Sequence, residues 1–203
     1  MSRPLIIGLT GSIGMGKSTV ASMFADEGIA IFDADAVVHE MQGAGGELVD
    51  AIEAAFPGTT GPGGVDRKAL GIAVLADRDK VARLEAIVHP AVASRRNAFL
   101  ETHKMDDLLV FDIPLLFEKQ GQANVDVTVV ASAPYAVQRE RVLARPGMTA
   151  ERFEHIHALQ MNDADKRERA DFVIDTSQSL AETRIQVRNI VKSLRQGLAH
   201  RDK

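Results

Sequence analysis

Residues 8–20 read GLTGSIGMGKSTV, and Gly11–Ser18 within them match the pattern G-x-x-x-x-G-K-[ST]. Glycines in this pattern allow backbone angles that turn successive amide N–H groups toward a phosphate group. The apolar run Leu5–Leu9 comes before the pattern, and a helix-forming segment from Lys17 follows it. This order predicts a strand, a phosphate-binding loop and a helix whose N-terminal dipole faces the same anion.

The chemistry expected of this loop is nucleoside triphosphate binding. Lys17 would reach the β- and γ-phosphates, and the Ser18 hydroxyl would bind a Mg²⁺ cofactor. Switch GTPases, motor ATPases and small-molecule kinases share such a loop, and the N-K-x-D sequence of guanine-specific switches does not occur here. The loop therefore does not identify a phosphate acceptor. Its expected nucleotide-binding residues are Gly11, Ser12, Ile13, Gly14, Met15, Gly16, Lys17, Ser18 and Thr19.

The composition limits the class of protein. The chain has 203 residues, 45% of them hydrophobic, which suits a globular core and not a disordered chain. A net charge of −4 gives no reason to expect nucleic-acid or membrane binding. There is no cysteine for disulfides or thiolate metal sites, and no apolar run of about 18 residues for a membrane span. We expect a cytoplasmic α/β protein, and the sequence makes no prediction of its oligomeric state.

Five apolar segments are predicted as strands. The first two enclose the loop and its helix, so they form a β–α–β unit and predict a parallel sheet. The five segments are Leu5–Leu9, Ile29–Phe32, Leu108–Ile113, Val125–Ala131 and Phe172–Asp175. An amphipathic helix at about 179–198 is expected to close the chain. One side of it should carry Ile185, Ile190, Val191 and Leu194.

Residues 34–104 differ in character from the rest of the chain. They show no clear strand, and they contain two Gly-rich segments, 43–46 and 57–65, that are predicted as loops. The interval is therefore predicted to be a helical insertion between strands of the sheet. Its helices are expected at about 34–42, 46–55, 66–76 and 78–103.

Two carboxylates, Asp33 and Asp35, follow the second predicted strand in the sequence IFDAD. Ligands of parallel α/β sheets gather beyond the carboxyl ends of the strands, where the phosphate loop is also expected. A carboxylate there can hold an acceptor hydroxyl and take its proton. We expect this role for Asp33, whereas Asp35 either shares it or only caps the next helix.

Three further features allow more than one interpretation. Asp112 ends the third predicted strand, where a carboxylate can hold Mg²⁺ through water. Arg141 and Arg145 are four apart, hence on one helix face, and they either form a solvated charged surface or bring guanidinium groups to the transferring phosphate. The dipeptide His89-Pro90 has the composition of a helix breaker.

Six short blocks occur in one order along the chain. They are GLTGSIGMGKSTV (8–20), IFDAD (31–35), LEAIVHPAV (84–92), DIPLLFE (112–118), QRERVLAR (138–145) and ADFVIDTS (170–177). Together these blocks closely resemble the dephospho-CoA kinase family, and the resemblance spans about residues 5–195. Many families share the phosphate loop, whereas the other blocks at these spacings are far more specific.

The resemblance implies an α/β architecture, the P-loop NTPase and kinase fold, with a five-stranded parallel sheet flanked by helices. Within a single kinase unit it implies a core at about 1–33, 105–135 and 169–203. A helical insertion at about 34–104 would hold dephospho-CoA, and a lid at about 136–168 would close over ATP. The implied reaction transfers the γ-phosphate of ATP to the ribose 3′-hydroxyl of dephospho-CoA, the last step of coenzyme A synthesis.

The resemblance also implies roles for particular residues. The expected catalytic residues are Asp33, Lys17 and Arg141. Arg145 and Thr176 join the expected ATP-binding residues, and Thr176 stands where the family often has Asn, so contacts near the adenine are expected to differ. Arg139 and Lys166 are secondary candidates for phosphate contacts. The expected acceptor-binding residues are Asp33, His89, Pro114 and Leu115.

Two other functions stay open from the sequence. A nucleoside or nucleoside monophosphate kinase of the same fold would use arginines in its acceptor lobe. Residues 34–104 do contain Arg67, Arg78, Arg83, Arg95 and Arg96. A nucleotide-sensing module would instead bind ATP without turning over any small acceptor. The carboxylate pair beside the phosphate loop favours an acceptor, and hence an enzyme.

Overall fold

A computed structural model describes residues 3–201, and within them seven strands form two sheets. The strands are β1 (Leu5–Thr10), β2 (Ala30–Asp33), β3 (Thr60–Gly61), β4 (Gly64–Val65), β5 (Leu108–Asp112), β6 (Val127–Ser132) and β7 (Phe172–Asp175). Five of them form a sheet in the order β2-β5-β1-β6-β7. Strand β1 pairs in parallel with both β5 and β6, and β6 pairs in parallel with β7. The loop after β1 therefore leaves the middle of the sheet.

Nine α-helices occupy the same described residues. They are α1 (Lys17–Asp26), α2 (Ala34–Met41), α3 (Val49–Ala55), α4 (Arg67–Val74), α5 (Arg78–Thr102), α6 (Tyr135–Leu143), α7 (Ala150–Ala158), α8 (Asp163–Arg169) and α9 (Leu180–Arg201). The predicted five-stranded parallel sheet flanked by helices is confirmed. None of the described helices has the length and apolar character needed to cross a membrane.

The described residues before Asp33 and after Thr102 form one compact unit around the five-stranded sheet. Its core joins the sheet to helices α1 and α9. Ile7 and Leu9 of β1 are fully buried, and so is Phe24 of α1. Strands buried on both faces have no need of polar residues at alternate positions, which explains the continuous apolar runs in the sequence.

Helix α9 buries one apolar face in this core. Val187, Ile190, Val191 and Leu194 are buried there, whereas Ile185 is 56% exposed. The prediction that Ile185 shares this face is wrong. With about 3.6 residues per turn, Ile185 lies roughly 140° around the helix axis from Ile190, outside the buried stripe.

Residues Asp33–Thr102 form the second unit, in which helices α2–α5 enclose a core of their own. This unit also contains the antiparallel hairpin of β3 and β4. The prediction that the interval lacks strands and that 57–65 is only a loop is therefore wrong. Each strand has two residues, too few for the alternation by which strands are recognised in a sequence.

Helix α5 confirms the helix predicted at about 78–103 and runs through Pro90, so the helix-breaking interpretation of His89-Pro90 is wrong. Proline removes one backbone hydrogen bond and usually kinks or ends a helix. Here the helix is held by packing on both sides of the proline, because tertiary contacts outweigh local preference. The α5 residues that pack on the core of this unit are Leu84, Ile87, Val88, Ala91 and Val92.

Candidate active site

The loop between β1 and α1 has the geometry of a phosphate cradle. Gly14 and Gly16 have φ angles of 77° and 81°, in the left-handed region that side chains disfavour. Helix α1 begins at Lys17, and Gly16 at its N-cap position forms no side-chain hydrogen bond to the first turn. The amides at the start of α1 can therefore bind an anion, whose charge the helix dipole also favours.

A cavity of about 410 Å³ lies over this loop. All nine predicted loop residues, 11–19, line it, together with Pro114, Arg145, Ile156 and Gln160. Pro114 and Arg145 are also among the predicted site residues, from distant parts of the sequence, whereas Ile156 and Gln160 are not. The fold thus brings the loop, the segment after β5, the segment after α6, and the end of α7 with the residues that follow it to one cavity.

The loop lysine pairs with the carboxylate at the end of β5. Lys17 Nζ forms an ion pair with Asp112 Oδ1. Asp112 reaches this position because β1 and β5 pair in register, with Leu9 opposite Asp112. It is 4% exposed, and a buried charge requires a partner of opposite sign. An ammonium group and a carboxylate therefore meet beside the cavity that Ser18 lines.

Thr176, an expected ATP-binding residue, is buried and supports the loop from below. Its Oγ1 donates a hydrogen bond to the Met15 carbonyl oxygen at 2.8 Å, and its N–H donates to the Ser132 carbonyl oxygen at 2.8 Å. Arg141 donates to Thr176 Oγ1 at 3.1 Å and to its carbonyl oxygen at 2.6 Å. Thr176 therefore joins β6, the phosphate loop and α6. A direct contact of Thr176 with adenine stays a prediction.

Arg141 and Arg145, the two arginines expected at the nucleotide, have different surroundings. Helix α6 ends at Leu143, before Pro146, so Arg145 lies beyond it and the predicted common helix face is wrong. Arg141 is half-buried and bonded to Thr176, whereas Arg145 is exposed and lines the loop cavity. Arg145 is thus the one that the structure places over the loop. A phosphate contact by Arg141 stays a prediction.

Two glutamines outside the predicted site residues hold the loop at Ile13, one on each of the two peptide groups that flank this residue. Ile13 N–H donates to Gln160 Oε1 at 3.0 Å, and the Ile13 carbonyl oxygen accepts from Gln138 Nε2 at 2.8 Å. Gln138 lies on α6 and is 1% exposed, while Gln160 follows α7 and lines the cavity. Gln138 begins the block QRERVLAR (138–145), but the sequence assigns it no contact with the loop, and Gln160 lies outside all six blocks. Only the tertiary structure therefore identifies these two contacts.

A buried ion pair lies next to this arrangement. Lys166 of α8 is fully buried, and its Nζ lies 2.9 Å from Glu118 Oε1. The same oxygen accepts a hydrogen bond from Met161 N–H at 2.9 Å. Burial raises the pKa of Glu118, but the bonds from Lys166 and from backbone amides outweigh it and hold the pKa below its usual value. Lys166 therefore anchors α8 to the segment after β5. It does not line the loop cavity.

Asp33 ends β2 and is the N-cap of α2, and its Oδ1 accepts a hydrogen bond from Ala36 N–H at 2.9 Å. The interpretation of Asp35 as the cap is wrong, because Asp35 lies in the first turn of α2 and is exposed. Capping satisfies one backbone donor and fixes the orientation of the Asp33 carboxylate. A carboxylate has two oxygens, so this bond is compatible with a hydroxyl contact.

The remaining predicted acceptor residues lie in two places. His89 is exposed on α5, within the second unit. Pro114 and Leu115 follow β5 in the first unit and are half-buried, and Thr10 Oγ1 donates to the Pro114 carbonyl oxygen at 3.1 Å. Their contacts with an acceptor stay predictions. Arg139 is exposed and does not line the loop cavity.

Comparison with known proteins identifies the family. A family model described as Dephospho-CoA kinase matches residues 5–182. A dephospho-CoA kinase of Novosphingobium aromaticivorans is 60% identical over 196 residues, which cover 97% of this chain and 98% of the relative. The residues matched include both units of the structure.

Solved structures agree with this match. A crystal structure from Thermus thermophilus is 35% identical, with a TM-score of 0.80, and the alignment covers 95% of this chain and 98% of the other. The structure of a dephospho-CoA kinase from Campylobacter jejuni covers the same shares, with 22% identity and a TM-score of 0.65, and shows the same fold. The resemblance seen in the sequence is confirmed, and the chain belongs to the dephospho-CoA kinase family.

Proposed function

We propose that this protein transfers the γ-phosphate of ATP to the 3′-hydroxyl of the ribose of dephospho-CoA, giving coenzyme A and ADP. The observation that carries the proposal is the family match, which runs through the phosphate loop and through the whole Asp33–Thr102 unit. Family membership favours this acceptor over nucleosides and nucleoside monophosphates. We also propose that the reaction takes place in the cytoplasm.

The loop residues would bind the phosphates of ATP. Lys17, Ser18 and Thr19 at the start of α1 line the cavity, so their amides would bind the phosphates, and the Lys17 ammonium group would neutralise charge on the β- and γ-phosphates. In this proposal Lys17 leaves Asp112 when nucleotide binds, because a phosphate offers a denser negative charge. Arg145, which lines the same cavity, would add a second cation near the transferring phosphate. Arg141 would act from its position beside Thr176.

Magnesium fits the oxygen donors beside the loop. The Ser18 hydroxyl lines the cavity, and Asp112 supplies a nearly buried carboxylate at the end of β5. Mg²⁺ prefers such oxygen ligands and keeps several waters, so Ser18 would bind it directly and Asp112 through water. When bound, the ion would neutralise charge on the β- and γ-phosphates.

Asp33 would orient the acceptor hydroxyl and take its proton. The phosphoryl group passes through a loose transition state, so placement of the attacking oxygen matters at least as much as its deprotonation. The capping bond from Ala36 N–H holds the carboxylate in one orientation for this task. In the same proposal His89, Pro114 and Leu115 contact the acceptor. Residues 34–104 hold dephospho-CoA, and residues 136–168 form a lid over ATP.

One assay tests the proposed reaction. The protein is mixed with Mg-ATP and, in turn, with dephospho-CoA, adenosine, AMP and CMP, and ADP release is followed together with coenzyme A formation. We expect acceleration with dephospho-CoA and stoichiometric formation of coenzyme A. ADP release that is equal with and without dephospho-CoA would rule out this function, and acceleration by AMP or CMP alone would favour a nucleotide kinase.

A further inference from the structure

We propose that Gln160 distinguishes ATP from ADP, by donating a hydrogen bond from its side-chain amide to the γ-phosphate while its carbonyl oxygen holds the phosphate loop. The inference rests on the proposed use of ATP. It concerns a residue on the segment between α7 and α8, outside the G-x-x-x-x-G-K-[ST] pattern.

The hydrogen bond to Ile13 fixes the orientation of the Gln160 amide. The Ile13 N–H is a donor, so the atom that faces it at 3.0 Å must be the Gln160 oxygen. The two N–H bonds of Nε2 are then the donors that Gln160 can offer to a ligand in the cavity that it lines. The γ-phosphate of ATP presents acceptor oxygens at neutral pH, so it matches these donors.

The position of Ile13 in the loop selects the terminal phosphate. Amides at the start of α1 cradle the phosphates nearest the helix, and Lys17 reaches across them toward the γ-phosphate. Ile13 lies in the first half of the loop, four residues before Lys17, and its N–H is already bonded to Gln160. The Ile13 N–H is therefore not available to a phosphate, and the side-chain amide of Gln160 serves as the donor in its place. It does so at the end of the loop that the amides of α1 do not reach.

The neighbours of Gln160 hold it in place. Met161 N–H donates to Glu118 Oε1 at 2.9 Å, and Glu118 is in turn paired with the fully buried Lys166. At the next peptide group of the loop, Gln138, which is nearly buried, donates to the Ile13 carbonyl oxygen at 2.8 Å. A donor held by such contacts binds a phosphate without first losing conformational entropy.

The substitution Gln160→Glu separates the two halves of the proposal. It keeps an oxygen to accept from Ile13 N–H, but it replaces the Nε2 donors by a second negative oxygen. We expect the Kd of Mg-ATP to rise about 10- to 100-fold, the range for a lost hydrogen bond to a charged group, while the Kd of Mg-ADP changes less than about threefold. Gln122→Glu, at an exposed residue of the 3₁₀ turn Gly121–Asn124, is the control for the change in net charge.

Isothermal titration of both nucleotides, with thermal unfolding of each variant, gives the answer. Equal changes for ATP and ADP, or a Gln160→Glu variant that binds both like the unmodified protein, would overturn the proposal and leave Gln160 as a tether of the loop. If Gln160→Glu does not fold, Gln160→Met replaces it; methionine removes the oxygen bonded to Ile13 as well as the donors, so both nucleotides should bind more weakly and the loss should be larger for ATP than for ADP. These titrations contain no acceptor, so a failure to phosphorylate dephospho-CoA would refute the proposed reaction without affecting this result.

Discussion

Replacement of Thr176 by valine removes one buried hydroxyl and nearly preserves the shape of the side chain. That hydroxyl donates to the Met15 carbonyl oxygen at 2.8 Å and accepts from Arg141 at 3.1 Å. A hydrogen bond contributes about 1 kcal/mol net, and a buried group that loses its partner costs about 1–3 kcal/mol. We therefore expect Thr176→Val to lower the free energy of unfolding by about 2–3 kcal/mol. In a chain of this size that corresponds to a fall in Tm of roughly 4–12 °C.

The assay compares Thr176→Val with Thr176→Ser by thermal unfolding and by ATP titration. Serine keeps the hydroxyl and loses one methyl group, which costs about 1 kcal/mol. The valine variant should therefore unfold at the lower temperature, and it should also bind ATP more weakly, because the Met15 peptide belongs to the loop. If valine and serine give the same Tm, the hydroxyl does not support the loop and the reasoning is refuted.

Four further outcomes are expected. Asp33→Asn, which keeps a side chain able to cap α2, should lower kcat by about 10²–10⁴-fold. The control Asp35→Asn, at an exposed residue, should change kcat little. A near-normal kcat for Asp33→Asn would remove Asp33 from the catalytic residues. Lys166→Met leaves the Glu118 carboxylate, whose side chain is 16% exposed, without its ammonium partner and should cost about 1–3 kcal/mol. Adding Glu118→Gln should restore part of the loss, and additive effects in denaturant unfolding would argue against the pair. Folding lowers the pKa of Glu118, so this residue stabilises the protein fully above its unfolded pKa of 4.5, and the stabilisation is lost as pH falls through the folded pKa. Urea unfolding of the unmodified protein at a series of pH values should show this loss. The Glu118→Gln, Lys166→Met double variant should lack the part of the loss that is due to Glu118. Gly14→Ala places a side chain on a residue with φ of 77°, against a neighbouring carbonyl oxygen, and should lower Tm and weaken ATP binding more than Gly71→Ala within α4 does, by calorimetry.

The fold could be predicted because its determinants are local. Short segments are enough to predict their own structure, as in the run Leu5–Leu9, the pattern Gly11–Ser18 and the four residues Phe172–Asp175. The same reasoning was wrong where local preference and tertiary packing disagree. Pro90 lies inside a helix that packing holds together, and the hairpin of β3 and β4 is too short to show a period.

The candidate site was predictable only in part, for a related reason. A phosphate loop has a pattern of its own, so all nine of its residues could be named, and they line one cavity. The residues that support it could not be assigned this role: the resemblance names Thr176 as an ATP-binding residue and includes Gln138 in a block, but the sequence predicts no bond from either to the loop. Gln138, Gln160 and Thr176 reach the loop from far along the chain through single hydrogen bonds. Many other glutamine and threonine side chains have the same chemistry, and only the packing of the helices and of β7 determines which of them contact the loop.

The bond between Thr176 and Met15 also has a consequence for how the protein is made. It joins residues 161 positions apart, and β1 pairs only with strands that follow residue 107. Such distant contacts form late, after the loop-closure entropy has been overcome. On the ribosome, the complete G-x-x-x-x-G-K-[ST] sequence is therefore synthesised long before the contacts that support it can form. The loop lacks the bond from Thr176 until that residue has been added, so we expect a nascent chain that stops short of residue 176 to bind ATP more weakly than the full chain.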